Sequence, residues 1–292
     1  MKSLTKSRKN RNRIKDGYTP VKIVVSIVFA LYALSLLACL FWAFLMSFKG
    51  RFEYMLDPVS LPKEWIFSNY SSAFRELSSG QNNMFVMLLN SLWYAGGSTV
   101  IPISVCTLTA YVCAKYRFFL GKTVYWLCIG TMIIPIVGNL PSQFLLAKVL
   151  HTYDSPLTLI TGLGGISFTT LLLYSFFKSI DHGFAEAAYI DGASHFQIFY
   201  KIMLPMALPP IGALALTSFT ALWNDSEGPL VFLPSYPTLA SGLYVYQVEA
   251  ERTLNNPVLY AGLLMTALPI VVLWILFNKH LLSLQFGGGL KG

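Results

Sequence analysis

Charge is scarce in this chain. Asp, Glu, Lys and Arg make up 12% of its 292 residues, against about 25% in a soluble domain, which excludes a water-soluble enzyme. Cysteine is scarce too: Cys39, Cys106, Cys113 and Cys128 fall in apolar runs and show no CxxC spacing. They read as small buried hydrophobes, not as a disulfide framework or a metal site. The histidines, His151, His182, His195 and His280, form no HExxH pair, so the signature of a membrane metallohydrolase is missing. A P-loop is missing as well. Gly121-Lys122-Thr123 matches only its end, and Tyr116 stands where the first glycine belongs. The chain is expected to hold no nucleotide, cofactor or metal of its own.

Apolar sequence, by contrast, is abundant. Hydrophobic residues make up 55% of the chain, gathered into runs near 22–46, 84–112, 123–147, 156–179, 206–224 and 258–278. The first, as a helix, would reach about 38 Å, enough to cross a bilayer core of about 30 Å. The expected fold class is an all-α membrane protein with six transmembrane helices. Gly96-Gly97 and Pro102 predict a bend or a close contact in the second span. Pro135 and Pro141 predict breaks in the third, Gly162, Gly164 and Gly165 predict close helix contacts in the fourth, and Pro269 lies inside the sixth. By these boundaries no span contains Asp or Glu; Asp225 sits at an outer edge. Ion-coupled carriers usually need an intramembrane carboxylate or a comparable ion site. The pattern suits a machine whose energy is supplied from outside the bilayer.

The net charge of +8 is unevenly spread. Seven Lys or Arg lie within residues 1–15, as a topogenic tail and not a nucleic-acid surface. With the N-terminus inside, 15 of the 21 Lys and Arg fall in cytoplasmic segments. The bias predicts that both termini, 113–122 and 180–205 are cytoplasmic, and that 47–83 and 226–257 are external. The chain divides into a basic tail (1–20), a first span with its external segment (21–83), a core (84–282) and a short tail (283–292). Asn69-Tyr70-Ser71 matches a glycosylation sequon, a pattern short enough to arise by chance.

One polar stretch interrupts the apolar core, EAAYIDGASHFQIFYKIMLP at 186–205. It predicts a short helix, a turn and a second short helix. Gly192 tolerates positive φ and Asp191 can bond its own backbone in the turn. Ser194 with Gln197 has the form of a capping box, and Pro205 suits the first turn of the next membrane helix. Glu186, Ala187, Ala188, Gly192, Ile202, Leu204 and Pro205 occupy every fixed position of the EAA motif, and the stretch closely resembles that motif in ABC-importer permeases. Asp181 stands in a segment where family members often carry proline and further acids, and it can cap the helix.

The span pattern from about 84 to 282 resembles the binding-protein-dependent permease core. Trp223-Asn224-Asp225 followed by Pro229-Leu230-Val231-Phe232-Leu233 is similar to a segment of carbohydrate importers of the maltose type, although Ser226-Glu227-Gly228 replaces the usual apolar residues. The resemblance implies a bacterial cytoplasmic-membrane subunit that carries a mono- or oligosaccharide and does not hydrolyse ATP. It implies a homologous second permease, two ATPase subunits that bind ATP and Mg, and an extracytoplasmic sugar-binding protein. Glu186, Ala187, Ala188, Asp191, Gly192, Ile202, Leu204 and Pro205 would couple to the ATPase; Trp223, Asn224 and Asp225 would line the substrate path. The loop 229–257 resembles in position the external loop that reaches into the binding protein. The rival readings are a peptide or amino-acid permease, and an ATP-independent carrier or channel.

Overall fold

A computed structural model describes residues 20–77, 82–116, 118–133, 138–161 and 167–287. The basic tail to residue 19, Arg117, Pro135, Gly162, Gly164, Gly165 and residues 288–292 lie outside the described residues. What is described is helical. Four helices are long and apolar enough to cross a membrane: Lys22–Met46, Met84–Lys115, His195–Trp223 and Asn256–Leu276.

The first lies in α1 (Pro20–Met46), which is exposed from Lys22 to Phe41 and ends on the buried Met46. The chain then folds into a cap built from α2 (Arg51–Leu56) and α3 (Ser68–Glu76). Lys49 is fully buried there, because its ammonium donates to Asp57 O (2.5 Å) and Ser60 Oγ (3.0 Å). A buried charge persists only when its donors are satisfied in this way. The Asn69 amide donates to Ser47 O and Lys49 O at 2.8 and 2.9 Å, so the nitrogen a glycan would need is already engaged. Leu77 seats over Gly262, where a Cβ would collide with it.

The second long helix is α4 (Met84–Lys115), started by Asn83, whose side chain accepts from Val86 N–H. It runs unbroken through Pro102. At Gly97 a Cβ would collide with Leu159, whereas at Gly96 it would meet open space, so of the pair Gly97 serves the close contact. The third predicted span differs: α5 (Phe119–Ile133) and α6 (Leu140–Val149) are separate, and Pro141 lies in the first turn of α6, where its missing N–H costs nothing. Gly121-Lys122-Thr123 is inside α5, not in a phosphate-binding loop. The fourth comprises α7 (Thr158–Thr161) and α8 (Ser167–Ser179).

Next come α9 (Gly183–Ile190), α10 (His195–Ile198), a five-residue π-helical stretch (Phe199–Met203) and α11 (Leu204–Trp223). The segment 226–257, read as a loop, holds two helices, α12 (Glu227–Phe232) and α13 (Leu239–Thr253). The long α14 (Asn256–Gly287) closes the fold and extends into the predicted tail.

Helix α4 joins two buried clusters. Its first half packs with Leu77, Trp223, Leu239 and Val258. Its second half, through Cys106, Ala110 and Tyr111, packs with Phe177, Ala188, Ile198 and Met203. The same helix therefore touches the capped end of the bundle and the end that carries α9.

Candidate functional site

The EAA stretch folds as a helix, a turn and a helix. Asp181 starts it: its Oδ1 accepts from Gly183 N–H at 3.0 Å. Helix α9 ends at Ile190, and two backbone bonds wrap its end, Gly192 N–H to Tyr189 O (3.0 Å) and Ala193 N–H to Ala188 O (2.9 Å). This is the paired bonding of a Schellman ending, which needs a left-handed residue at the turn; Gly192 has φ +80°. Asp191 contributes its N–H to Ala187 O, and among the described residues its carboxylate makes no hydrogen bond. The expected local Asp191 bond is replaced by backbone closure. The Ser194–Gln197 capping box forms as anticipated, with both reciprocal bonds present.

Beyond the turn Pro205 lies in the first turn of α11, as expected, but the second short helix is not separate from it: His195 to Trp223 is one continuous helical run. The π-helical stretch explains the tolerance: Leu204 N–H reaches back five residues to Phe199 O. The wider turn gives room for the proline ring, which in an ordinary α-helix would crowd the carbonyl four residues back.

The two faces of the element differ. Ala188 and Ile198 are buried in the core, with Ile202 packed beside them. Glu186 and Ala187 face outward, with Phe184, Ile190, Phe196 and Tyr200 exposed around them. Phe196 and Tyr200 stack in parallel, 6.2 Å apart.

Two neighbouring residues at the end of α4 hold this element at both ends. Lys115 Nζ donates to Ile180 O at 2.6 Å, just ahead of α9. Tyr116 hydroxyl lies 3.0 Å from His195 Nδ1, just after the turn, and the Tyr189 hydroxyl meets the same nitrogen. In the sequence Lys115 reads only as a topogenic charge, and nothing singles out Tyr116 as a contact to this element. No spacing rule links 115–116 to 180 or 195; the pairing comes from the packing of α4 against α8.

Trp223-Asn224-Asp225 sits at the other end. The Trp223 ring is buried against Phe219. Asp225 Oδ2 accepts from Tyr94 hydroxyl at 2.6 Å, and its Oδ1 accepts from Gly228 N–H at 3.0 Å. The carboxylate thus ties α11 to α4 and to the start of α12. A Cβ at Gly228 would collide with both Asp225 and Tyr94, so the departure at 226–228 has a packing reason. Only Asn224 of the three is exposed. Asp225→Ala and Gly228→Ala are each expected to lower the stability of the purified protein, because the buried Tyr94 hydroxyl loses its acceptor, a cost of about 1–3 kcal/mol. Thermal denaturation in detergent checks this, with Asp225→Asn expected to fall between.

Above that carboxylate the capped side is laced together. Asp154 accepts from Ser235 N–H and Oγ at 2.9 and 2.7 Å. Tyr246 donates to Glu76 Oε2 at 2.9 Å; burial and the Glu76 carboxylate raise its phenol above the ordinary tyrosine range, so it remains a donor. Among the described residues, no group of three or more His, Cys, Asp or Glu is placed to hold a metal ion.

Comparison with known proteins agrees with this architecture. Residues 106–281 match the family described as binding-protein-dependent transport system inner membrane component. The diacetylchitobiose uptake system permease protein of Streptomyces coelicolor is 27% identical over 255 residues, covering 86% of this chain and 83% of that one. The maltodextrin transport system permease protein of Bacillus subtilis is 31% identical over 207 residues, covering 70% and 74%. A crystal structure of a bacterial ABC transporter involved in the import of the acidic polysaccharide alginate has a chain that superposes with TM-score 0.75 at 23% identity, covering 88% of this chain and 95% of that one. The chain belongs to the family of binding-protein-dependent transport system inner membrane components, the permease subunits of ABC importers.

Proposed function

We propose that this chain is one of two permease subunits of an ATP-driven importer for a sugar or oligosaccharide, and that 180–205 is its coupling element. The observation that carries the coupling role is the two-sided geometry of α9. Its back is buried in the bundle, while Glu186, Ala187, Phe184 and Ile190 form a partly apolar face that is exposed among the described residues. Such a face suits an ATPase cleft, with Glu186 available to an arginine. The relatives that carry diacetylchitobiose and maltodextrin in their names support the substrate class.

In this reading ATP and Mg bind to two partner ATPases, a homologous permease completes the pathway, and an extracytoplasmic binding protein delivers the sugar. ATPase closure moves the coupling element, and α4, gripping it at Ile180 and His195, carries that movement toward the capped end. The path has six crossings: the four long helices, α5 with α6, and α7 with α8. Both termini and 180–205 are cytoplasmic, while the cap and 226–257 are external.

Uptake into proteoliposomes containing the whole importer tests the function. Labelled maltotriose, raffinose or diacetylchitobiose is expected to accumulate only with hydrolysable ATP, whereas a labelled tripeptide is not. Uptake of the tripeptide alone, or sugar uptake that persists when hydrolysis is blocked, sinks the reading. For the topology, Ser194→Cys in intact cells is expected to resist a membrane-impermeant thiol reagent; labelling from outside would invert the arrangement.

A further inference from the structure

We propose that the cleft between α11, α13 and α14 is a subsite for one neutral sugar ring on the outer part of the transport path. This rests on the sugar-importer reading above. The cleft measures ≈ 280 Å³ and is lined by Asn224 and Ser226, by Tyr244 and Gln247 of α13, and by Thr266 of α14, with Leu243 among its apolar walls. Tyr244 and Gln247 stand three residues apart and so share one helix face. Both are exposed.

The free hydrogen-bonding capacity is that of a polyhydroxyl site. Asn224 uses its Nδ2 on Thr220 O and Thr266 uses its hydroxyl on Leu263 O, which leaves the Asn224 carbonyl oxygen available as an acceptor. Among the described residues, the Gln247 amide and the Tyr244 and Ser226 hydroxyls make no hydrogen bond. A sugar ring offers an apolar C–H face and a rim of hydroxyls. An aromatic ring with neutral amides and hydroxyls around it matches both.

No charged side chain lines the cleft among the described residues. A peptide terminus or a uronate would enter with its charge unpaired, which is costly. The volume is near the lower end of small-molecule sites, about 300–1,000 Å³, so a longer saccharide would occupy it one ring at a time. Trp223, largely buried against Phe219, forms part of the cleft wall, and Asp225, held by Tyr94, is outside the lining; the polar contacts come from Asn224 and Ser226, from Thr266, and from a helix where a loop was expected.

The test uses the importer assembled in proteoliposomes and carrying Gln247→Cys. The wild-type chain is the background control, because its own cysteines lie in apolar segments. A membrane-impermeant maleimide should label the variant from outside. Maltotriose, raffinose or diacetylchitobiose, whichever the wild type imports, should slow labelling by about tenfold at ten times its half-protecting concentration. Adding Tyr244→Ala should raise that half-protecting concentration by about tenfold, as expected for loss of one aromatic anchor. Tyr244→Phe should leave it nearly unchanged. Labelling without protection by an imported sugar overturns the subsite, and so does a site that never labels because the second permease covers it. Import of none of these sugars by the wild type overturns the sugar reading itself, and the subsite with it.

Discussion

Gly192→Val is expected to leave an inserted permease that no longer couples ATP hydrolysis to uptake. The cause is local. Gly192 has φ +80°, and the two bonds that close the end of α9 depend on it. A side chain in the left-handed region costs roughly 1–2 kcal/mol, and a β-branched one is a genuine outlier there. Among the described residues, its chain neighbours aside, no heavy atom lies within 4 Å of where a Cβ would sit, so the penalty there is backbone strain and not collision. A cost of one or two kcal/mol shifts a two-state ratio by about 5–30-fold. For valine, that unwinds the turn that sets the exposed face of α9. Gly192→Ala carries the backbone term with less bulk, so it should reduce uptake less. ATPase rate and sugar uptake, measured side by side in reconstituted complexes, decide it. Wild-type transport by the valine variant would mean that the turn is unconstrained.

Glu186→Ala is expected to weaken retention of the ATPase and to lower uptake, again with normal insertion. Glu186 is exposed in the first turn of α9, and among the described residues its carboxylate has no partner in the chain. The element is held by other groups: Lys115 on Ile180, Tyr116 on His195, and Ala188 and Ile198 in the core. Removing Glu186 therefore leaves the fold of the element untouched, so the phenotype reads docking. If the proposed ATPase contact buries Glu186 against an arginine, truncation costs about 2–5 kcal/mol. Co-purification of the ATPase with the tagged variant measures it. Normal retention with normal uptake would reassign Glu186 to solvent.

The membrane class, the four long helices and the helix–turn–helix form of the 186–205 stretch were legible in the sequence, for one physical reason. Each rests on interactions between residues close along the chain. Apolar runs specify spans because backbone groups in lipid must bond within their own helix. Ser194 caps Gln197 three residues away, and Gly192 closes a helix that ends two residues before it. Tertiary structure alone decided the rest. Pro205 reads as a helix start and lies in the first turn of α11, yet no break precedes it, because the π-helical stretch makes room for the ring. Trp223 and Asp225 read as path residues. What only packing decided is that the Trp223 ring lies against Phe219 at the cleft wall and that the Asp225 carboxylate accepts from Tyr94, 131 positions away. Helix α13 lies in a segment that read as a loop, and α3 in one that read only as a polar external segment; Leu77 on Gly262 and Tyr246 on Glu76 hold the surrounding cap in place. The grip of Lys115 and Tyr116 on Ile180 and His195, and the cleft beside Tyr244, join residues that no local pattern connects. They exist only once α4, α8, α11, α13 and α14 have packed.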